Sequence, residues 1–401
     1  MSAEPRRLAA VVGAGMTRFQ TRRDDVDLSE LLVEGAEAAL RDANMEMSDI
    51  DAVILGMAPD ALHGVGHPEQ TAAAPLALNG KPMMRVHTGG ATGISAAQVG
   101  WWAVVSGRFE KVLVVGAERM GDNTLGAQRV LNEIWDPAYE ALMPLNTIAN
   151  CSLMTVRYMH RYGATEKEFA EIAVRLRANG ARNENAHLRK PITVEEVLES
   201  PLLTWPVRVG TSCPRSTGAA AMVVASADVA DRMSDPPAWI RAMTARTDTY
   251  FMGDRMGVAG VDEYIAMDNL RLATLEAYQM AGINDPVGQL DVLEPYVPFS
   301  SYEPMMLEAM QLAPAGRAIP LGEEGTWDID GSVAVSPSGG VMCSNPIGAT
   351  ALVRVAEIAQ QVRGRAGGHQ VDGARTALAT GAGGDSQFYG VAIVSANDPR
   401  I

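Results

Sequence analysis

The stretch KVLVVGAE at residues 111–118 decides the fold class of this chain. It is an almost continuous apolar run that ends at a glycine, which is typical of a strand buried on both faces of its sheet. A second strand pattern, in DIDAVIL at 49–55, precedes it, and helical patterns lie over 27–41 and 93–106. This alternation of strands and helices predicts an α/β protein with helices covering both faces of the sheet.

The same order of elements recurs near the C-terminus. DIDAVIL aligns with QLDVLEP at 289–295, and KVLVVGAE aligns with TALATGAG at 376–383. The helical pattern over 93–106 has its counterpart over 348–363. The similarity is weak at each position, but the order of the elements matches, so the sequence predicts an internal duplication.

A segment between the two halves interrupts this order. It holds a Pro- and Asn-rich stretch followed by helical patterns over 152–162, 166–179 and 193–200. We expect it to form a lid or a substrate-facing layer. The predicted domains are an N-terminal half over 1–121, completed by a strand within about 204–230, an insertion over 122–203 and a C-terminal half over 231–401.

The composition excludes several classes of protein. A net charge of −15 over 401 residues argues against nucleic-acid binding and against attachment to anionic membranes through a basic surface. Three cysteines without a Cys-x-x-Cys spacing predict neither a disulfide scaffold nor a zinc site, and they fit a reducing cytoplasm. No apolar stretch reaches the length of a membrane span. The chain is long enough to bury a large core in more than one compact unit.

The sequence has three glycine-rich loops, at 89–93 (GGATG), 336–340 (SPSGG) and 381–384 (GAGG), of which the first and third follow predicted strands. The first two precede predicted helices, where backbone N–H groups can bind an anion or an oxyanion. The alternative is that each glycine turn serves only close packing of a strand against a helix. Because the duplication relates the first two loops, we predict that all three face one pocket. Their candidate substrate-binding residues are Thr92, Ser338, Gly339 and Gly384, and Tyr302 is a further candidate outside the loops.

Candidate acid–base groups lie next to these loops. His87 directly precedes the first loop, and Glu294 and Tyr296 follow the predicted strand at 291–293, with Tyr302 a turn later. A carboxylate at a strand end in an α/β fold lies where ligands usually bind, and burial can raise its pKa into a useful range. The alternatives are a hydrogen-bonded buried histidine, a structural salt bridge for the glutamate, and core tyrosines with satisfied hydroxyl groups.

Cysteine and metal chemistry have weaker candidates. Cys343, close to the start of a predicted helix, is a candidate nucleophile, although a lone cysteine is more often a small packed apolar residue. Cys151 and Cys213 are interpreted as structural. His63 and His67 share a loop without an evident third ligand, so no metal site is expected.

At several of these stretches the chain resembles the thiolase superfamily, in its lipid-transfer-protein or sterol-carrier branch. The matching segments are RVHTGGATG (85–93), SCPRSTGAAAMVV (212–224), YVPFSSYEPMMLE (296–308), SPSGGVMCSNPIGAT (336–350) and HQVDGARTALATGAGGDSQF (369–388). The resemblance implies a thiolase fold, with duplicated βαβαβαββ halves in a five-layered αβαβα arrangement and an inserted loop domain. It also implies a coenzyme A thioester as substrate, no permanently bound cofactor, and a dimer.

The departures from the family pattern concern its catalytic residues. Thiolases carry their acyl-accepting cysteine in a Cys-Ala-Ser-Gly turn, where this chain has Gly90-Ala91-Thr92-Gly93. Their activating histidine lies in Gly-His-Pro, where this chain has Ser344-Asn345-Pro346. The second family cysteine aligns near 379–381, and the Asn-Glu-Ala-Phe segment aligns with 293–296. Since an acyl-cysteine mechanism needs a thiolate and a base, a covalent thiolase is disfavoured.

Thiolase-fold proteins without the cysteine resemble steroid side-chain aldolases, which cleave a β-hydroxyacyl-CoA by retro-aldol chemistry beside a partner with a zinc ribbon and an OB-fold. The resemblance therefore implies non-covalent carbon–carbon bond chemistry, in a homodimer or in a complex with such a partner. Enolate stabilisation falls to Gly90, Gly383 and Asn345, and proton transfer to Glu294 with Tyr296 or His87. Those aldolases carry tyrosines at the places of Leu293 and Asn345, so Tyr296 and Tyr302 are candidate replacements.

Two other hypotheses stay open. The first is an acetyl-CoA acyltransferase that uses Cys343 as its nucleophile. The second is a non-catalytic subunit that binds acyl-CoA or transfers lipid within a thiolase-like complex.

Overall fold

The computed structural model describes residues 7–63, 66–121, 126–143, 145–257 and 263–400. Its strands are β1 (Ala9–Met16), β2 (Ala52–Gly56), β3 (Met83–Val86), β4 (Lys111–Arg119), β5 (Leu202–Thr204), β6 (Val207–Arg208), β7 (Thr217–Ser226), β8 (Ala238–Thr247), β9 (Val292–Glu294), β10 (Ala334–Val335), β11 (Thr376–Gly383) and β12 (Phe388–Ser395).

Helices lie between most of these strands. They are α1 (Leu28–Asp42), α2 (Asp60–His63), α3 (Pro68–Ala72), α4 (Thr92–Val105), α5 (Ala127–Leu131), α6 (Thr147–Tyr162), α7 (Glu166–Arg182), α8 (Val194–Glu199), α9 (Ala227–Ala230), α10 (Glu263–Ala266), α11 (Asp268–Ala281), α12 (Pro286–Gln289), α13 (Tyr302–Ala309), α14 (Ala318–Glu323), α15 (Gly340–Cys343) and α16 (Ile347–Val362).

The sheet topology confirms the predicted duplication. Ten strands form one sheet in the order β10-β9-β11-β12-β8-β1-β7-β4-β2-β3. From the centre outward, the N-terminal half has the order β1-β7-β4-β2-β3 and the C-terminal half has the order β8-β12-β11-β9-β10. In both halves the first strand along the chain is followed by the fifth, fourth, second and third. The pairs aligned from sequence, β2 with β9 and β4 with β11, therefore occupy equivalent positions. The halves meet through a short antiparallel pairing in which Ala10 opposes Trp239 and Val11 opposes Ala238.

Helices arrange the two half-sheets into five layers. α1 covers the outer face of the N-terminal half-sheet, and α11 covers the outer face of the C-terminal half-sheet. Between them α4 and α16 pack on each other and on both half-sheets. α16 is buried around nearly its whole circumference, as expected of a helix with apolar residues on all sides. At the helix crossing a Cβ on Gly93 would overlap the backbone of Leu352, so only glycine allows this approach.

The three helices predicted between the two halves are present as α6, α7 and α8. A capping box begins α8, because the Thr193 side chain accepts from the backbone N–H of Glu196. The backbone N–H groups of His187 and Leu188 donate to the carbonyl of Cys343 and tie the insertion to the C-terminal half. Residues 122–125 and 144 of the predicted insertion lie outside the described residues.

No helix in the described part of the chain combines the length and apolar character needed to cross a membrane.

Candidate active site

The first and third glycine loops meet at the N-terminus of α4. A Cβ on Gly383 would lie 2.8 Å from the backbone nitrogen of Gly90 and would overlap the carbonyl oxygen of Thr88. A Cβ on Gly89 would lie 3.0 Å from the backbone nitrogen of Gly384. Side chains at these positions would force the loops apart, so the glycines are required for the two halves to approach here.

Tyr296 fills the space beside Gly90. A Cβ on Gly90 would lie 2.6 Å from the Tyr296 hydroxyl oxygen and 2.5 Å from the carbonyl oxygen of Ala382. The tyrosine is only 4% exposed, and its backbone N–H donates to Thr380 Oγ1 at 2.9 Å. The hydroxyl therefore lies where the side chain of a residue at position 90 would begin. A cysteine at position 90 would not fit without movement of Tyr296.

Polar side chains continue from Tyr296 into the start of α16. Tyr296 has a side-chain hydrogen-bonding neighbour in Thr350, whose hydroxyl donates to Asn345 Oδ1 at 2.8 Å. Asn345 Nδ2 in turn donates to Cys213 Sγ at 3.1 Å. Burial raises the pKa of Tyr296 well above its ordinary value and that of Cys213 to about 12, so both are protonated at neutral pH.

Thr350 and Cys213 join this network although no role in the pocket was predicted for either. Both stand in segments of family resemblance, GAT at 348–350 and CPRSTGAAA at 213–221, which was the available signal. Asn345, Gly90, Gly383 and Tyr296 were predicted site residues. In the structure Gly383 and Tyr296 both pack against Gly90, and Asn345 accepts a hydrogen bond from Thr350.

Glu294 is held in a buried ion pair. Its carboxylate pairs with Arg354 of α16 and accepts from the backbone N–H of Ser338 at 3.1 Å. Arg354 also donates to Ser338 Oγ at 2.7 Å. Burial raises the pKa of Glu294, and the Arg354 guanidinium opposes that shift. Because both carboxylate oxygens are engaged, these surroundings favour the structural salt bridge over the predicted base, and we assign Glu294 to positioning the 336–340 loop.

The second glycine loop turns toward the insertion. Gly339 has a φ of +88° and packs on Gly180 of α7 and on Cys343. Cys343 Sγ is fully buried and donates to the carbonyl of Leu176 at 3.4 Å. Burial raises the pKa of this thiol to about 12. Cys343 thus has the surroundings of a packed, protonated cysteine, and its loop contacts α7.

The remaining predicted residues have distinct surroundings. The Thr92 hydroxyl donates to the carbonyl of Gly89 at 2.6 Å and closes the first glycine turn. The ring of His87 makes no hydrogen bond or ion pair to any residue that the structure describes, and burial lowers its pKa, as does Arg85. The Tyr302 hydroxyl is buried and donates to Met154 Sδ of α6 at 3.3 Å. Its contact is therefore with the insertion.

Comparisons with known proteins agree with this fold. Family models described as "Thiolase, N-terminal domain" and "Thiolase C-terminal domain-like" match residues 9–201 and 257–396. Acetyl-CoA acetyltransferase of Methanothermobacter thermautotrophicus is 29% identical over 96% of this chain and 99% of its own length. Sterol carrier protein 2 of Gallus gallus is 30% identical over 92% of this chain and 68% of its own. Steroid side-chain-cleaving aldolase of Thermomonospora curvata is 30% identical, over 83% and 85%.

Among solved structures, an "Ltp2-ChsH2(DUF35) aldolase" superposes with a TM-score of 0.82 at 23% identity, covering 98% of this chain and 99% of that one. The duplicated halves, the glycine loops that meet between them and these matches together define a thiolase fold. The chain belongs to the thiolase superfamily, in the lipid-transfer branch that includes sterol carrier protein 2 and the steroid side-chain-cleaving aldolase. The resemblance and the fold predicted from the sequence are confirmed.

Proposed function

We propose that this protein cleaves or forms a carbon–carbon bond in a coenzyme A thioester without an acyl-enzyme intermediate, most directly by retro-aldol cleavage of a β-hydroxyacyl-CoA. The observation that carries the proposal is the Tyr296 hydroxyl beside Gly90, in the space that a side chain at this position would need. The similarity to a steroid side-chain-cleaving aldolase supports the same reaction class, in lipid or steroid-type catabolism.

The described cysteines do not favour covalent catalysis. Nucleophilic attack on a thioester requires a thiolate, which a base or a positive environment normally generates. Burial raises the pKa of Cys151, Cys213 and Cys343 to about 12 in each case. At neutral pH these thiols are protonated.

Retro-aldol cleavage needs no co-reactant. A base takes the proton of the β-hydroxyl, the Cα–Cβ bond breaks, and its electron pair forms the enolate of the thioester. The β-carbon leaves as an aldehyde or ketone, and a proton added to the α-carbon gives the shortened acyl-CoA. The two requirements are therefore an oxyanion site for the enolate and groups that move protons.

The site offers both. The backbone N–H groups of Gly90 and Gly383 lie at the junction of the two halves, and the protonated Tyr296 hydroxyl lies beside them. We assign stabilisation of the enolate oxygen to these groups, supported by Asn345 through Thr350. Partial burial and Arg85 lower the pKa of His87, which favours the neutral ring that can accept the β-hydroxyl proton. Thr92, Ser338, Gly339, Gly384 and Tyr302 stay proposed substrate-binding residues.

We further propose an assembly and a location. The structural neighbour named as an Ltp2–ChsH2(DUF35) aldolase supports a complex of this chain with a partner of the zinc-ribbon and OB-fold type. A homodimer and a cytoplasmic location are part of the same proposal. The coenzyme A thioester enters as substrate, with no permanently bound cofactor.

A substrate panel tests the proposed reaction. The purified protein, alone and with its partner, is incubated with β-hydroxyacyl-CoA and β-ketoacyl-CoA series, and the products are identified by mass spectrometry. We expect β-hydroxyacyl-CoA to give a carbonyl compound and a shortened acyl-CoA without added coenzyme A. Cleavage restricted to β-ketoacyl-CoA and dependent on coenzyme A would instead favour the acyltransferase. Tight binding without turnover in either form would favour the non-catalytic subunit.

Replacing Cys343 by alanine is expected to leave turnover within about twofold of the parent protein. The thiol is buried against α7 and protonated, so its removal takes no nucleophile from the proposed site. The measurement is the rate of acyl-CoA turnover, with intact-mass analysis for an acyl adduct on the parent protein. An acyl adduct on Cys343, together with an inactive but folded variant, would contradict this prediction.

A further inference from the structure

A buried imidazole–carboxyl pair lies outside the groups considered so far. His63 is the last residue of α2, and Glu118 lies near the end of β4. His63 Nε2 is 3.2 Å from Glu118 Oε2, and the two side chains are 1% and 0% exposed. The sequence left His63 without a role once metal binding was judged improbable.

This pair is poorly satisfied by its surroundings. Among the described residues, neither ring nitrogen of His63 nor Oε2 of Glu118 makes a hydrogen bond of normal geometry. Buried polar side-chain atoms nearly always have a partner, so three unpartnered atoms in one buried pair require an explanation. Within the part of the chain that the structure describes, His63 Nδ1 has no hydrogen-bond partner, so it can bind a group of the substrate.

The pair adjoins the proposed active site through the start of α16. Glu118 Oε1 accepts from the backbone N–H groups of Ala58 and Gly348. A Cβ on Gly348 would overlap this carboxylate oxygen, so the contact is close. Gly348 follows Asn345 by three residues and precedes Thr350 by two. The carboxyl group therefore lies at the same helix start that holds the polar network of Tyr296.

Electrostatic neighbours set the charge of the pair. Besides Glu118, the described charged groups that act on the pKa of the imidazole are Asp60 of α2 and Arg85 of β3, and α5 contributes apolar side chains to the α2 surface. Burial and Arg85 lower the pKa of His63 to about 4. Burial raises the pKa of Glu118 to about 8. At neutral pH the pair is uncharged overall, with one proton on the carboxyl group and one on the ring.

We propose that His63 and Glu118 together deliver the proton that the enolate needs at its α-carbon. His63 Nδ1–H donates to the α-carbon, whose electron pair forms the new C–H bond and restores the thioester carbonyl. In the same step the Glu118 carboxyl proton passes to Nε2, which leaves a carboxylate. For the next turnover a solvent proton is added at Nδ1, and the Nε2 proton returns to the Glu118 carboxylate. This inference rests on the proposed function, because it completes the second proton transfer of retro-aldol cleavage.

The inference places an imidazole beside α16 where the family histidine is absent. The loop before this helix has Ser344-Asn345-Pro346 in place of Gly-His-Pro. His63 comes from another part of the chain, but it contacts Glu118, whose carboxylate accepts from the backbone N–H of Gly348 in the first turn of this helix. The acid–base group would thus be supplied from α2 and β4 of the N-terminal half.

Hydrogen exchange at the α-carbon tests this step separately from carbon–carbon cleavage. The product acyl-CoA is incubated with the protein, and with its partner, in D2O, and deuterium at the α-carbon is followed by NMR. Cleavage of the β-hydroxyacyl-CoA is measured in parallel. Variants are Glu118→Gln, which keeps an oxygen acceptor for Ala58 and Gly348, and His63→Gln. His67→Gln is the control, because this histidine is exposed on the neighbouring surface and pairs with Glu69.

We expect both variants to slow α-carbon exchange and cleavage about 100-fold or more, the lower range for a positioned acid–base group. The parent rate should fall as pH rises through about 8, where Glu118 loses its proton, and Glu118→Gln should lack this limb. If Glu118→Gln does not fold, His63→Gln tests the same step with the Glu118 contacts intact.

Two outcomes overturn the inference and are distinguishable. If the parent protein exchanges and cleaves while His63→Gln and Glu118→Gln keep its rates and pH profile, the pair is structural and the proposed function stands. If the parent protein catalyses neither exchange nor cleavage, the proposed function fails and the inference fails with it.

Discussion

Replacing Tyr296 by phenylalanine is expected to lower kcat for β-hydroxyacyl-CoA cleavage by about 100- to 1,000-fold, the typical cost of losing one donor to an oxyanion. The hydroxyl is protonated, because burial raises its pKa far above neutrality, and it lies beside Gly90 at the junction of the two halves. The ring is almost fully buried, so phenylalanine preserves its packing and removes only the donor. The KM should change much less than kcat.

The matched control is Tyr278→Phe. This tyrosine is also buried, and its hydroxyl donates to the carbonyl of Met310 at 2.9 Å. Its loss should cost about 1 kcal/mol of stability, as for a typical buried hydrogen bond, and leave kcat unchanged. Steady-state kinetics and thermal melts of both variants make the comparison. Equal kcat for Tyr296→Phe and the parent protein would remove Tyr296 from the mechanism.

The buried strands and their repetition along the chain were accessible from the sequence, because burial on both faces leaves a continuous apolar signature. KVLVVGAE and TALATGAG identify β4 and β11, and their equivalent places in the two half-sheets follow from the repeated order of elements. α16 was equally accessible, since its small and apolar residues fill the layer between the half-sheets. These features depend on the spacing of apolar residues along the chain, which can be seen in a single sequence.

The side chains around the site were accessible only in part. Gly90 and Tyr296 were found through departures from a family pattern, but the sequence did not show that one occupies the space beside the other. Arg354 lies in the middle of a helix and was missed, because no local pattern distinguishes an exposed arginine from one paired across the core. Its pairing with Glu294 depends on residues sixty positions apart in the chain.

His63 illustrates a different limit. Its pattern in the sequence raised only the question of a metal site, because His67 lies nearby and no third ligand was evident. The contact with Glu118 joins α2 to the end of β4 across the parallel part of the sheet. Glu118 ends the strand pattern KVLVVGAE, but nothing in the sequence connects it with His63, so only the tertiary structure shows that they form a pair.

Replacing Arg354 by methionine is expected to destabilise the protein by about 3–5 kcal/mol at neutral pH, the usual cost of leaving a buried charge without its partner. The guanidinium lies against Glu294, with side chains 1% and 0% exposed, and it also donates to Ser338. Methionine restores much of the apolar volume but not the charge. Urea unfolding of the variant and the parent protein, followed by circular dichroism, measures the difference.

The pH dependence of this loss identifies Glu294 as its source. Without Arg354, burial and the nearby Glu357 are opposed only by the Ser338 hydrogen bonds, so the pKa of Glu294 rises further above that of the unfolded chain. A carboxyl group with a raised pKa in the folded state stabilises the protein only while protonated, and this stability is lost as pH rises through the folded pKa. The Arg354→Met variant should therefore lose less stability near pH 5 than near pH 8, relative to the parent.

The double variant Glu294→Gln/Arg354→Met separates a lost charge partner from lost packing. Removing the second charge should recover most of the stability and abolish its pH dependence, because no unpaired charge remains in the core. A double variant as unstable as Arg354→Met at every pH would show that the arginine acts through packing and Ser338. The activity of the same double variant tests the role of Glu294. If Glu294 only positions the 336–340 loop, the double variant should keep its turnover as long as the loop keeps its structure. If Glu294 is the base, the double variant should be inactive even when it is folded.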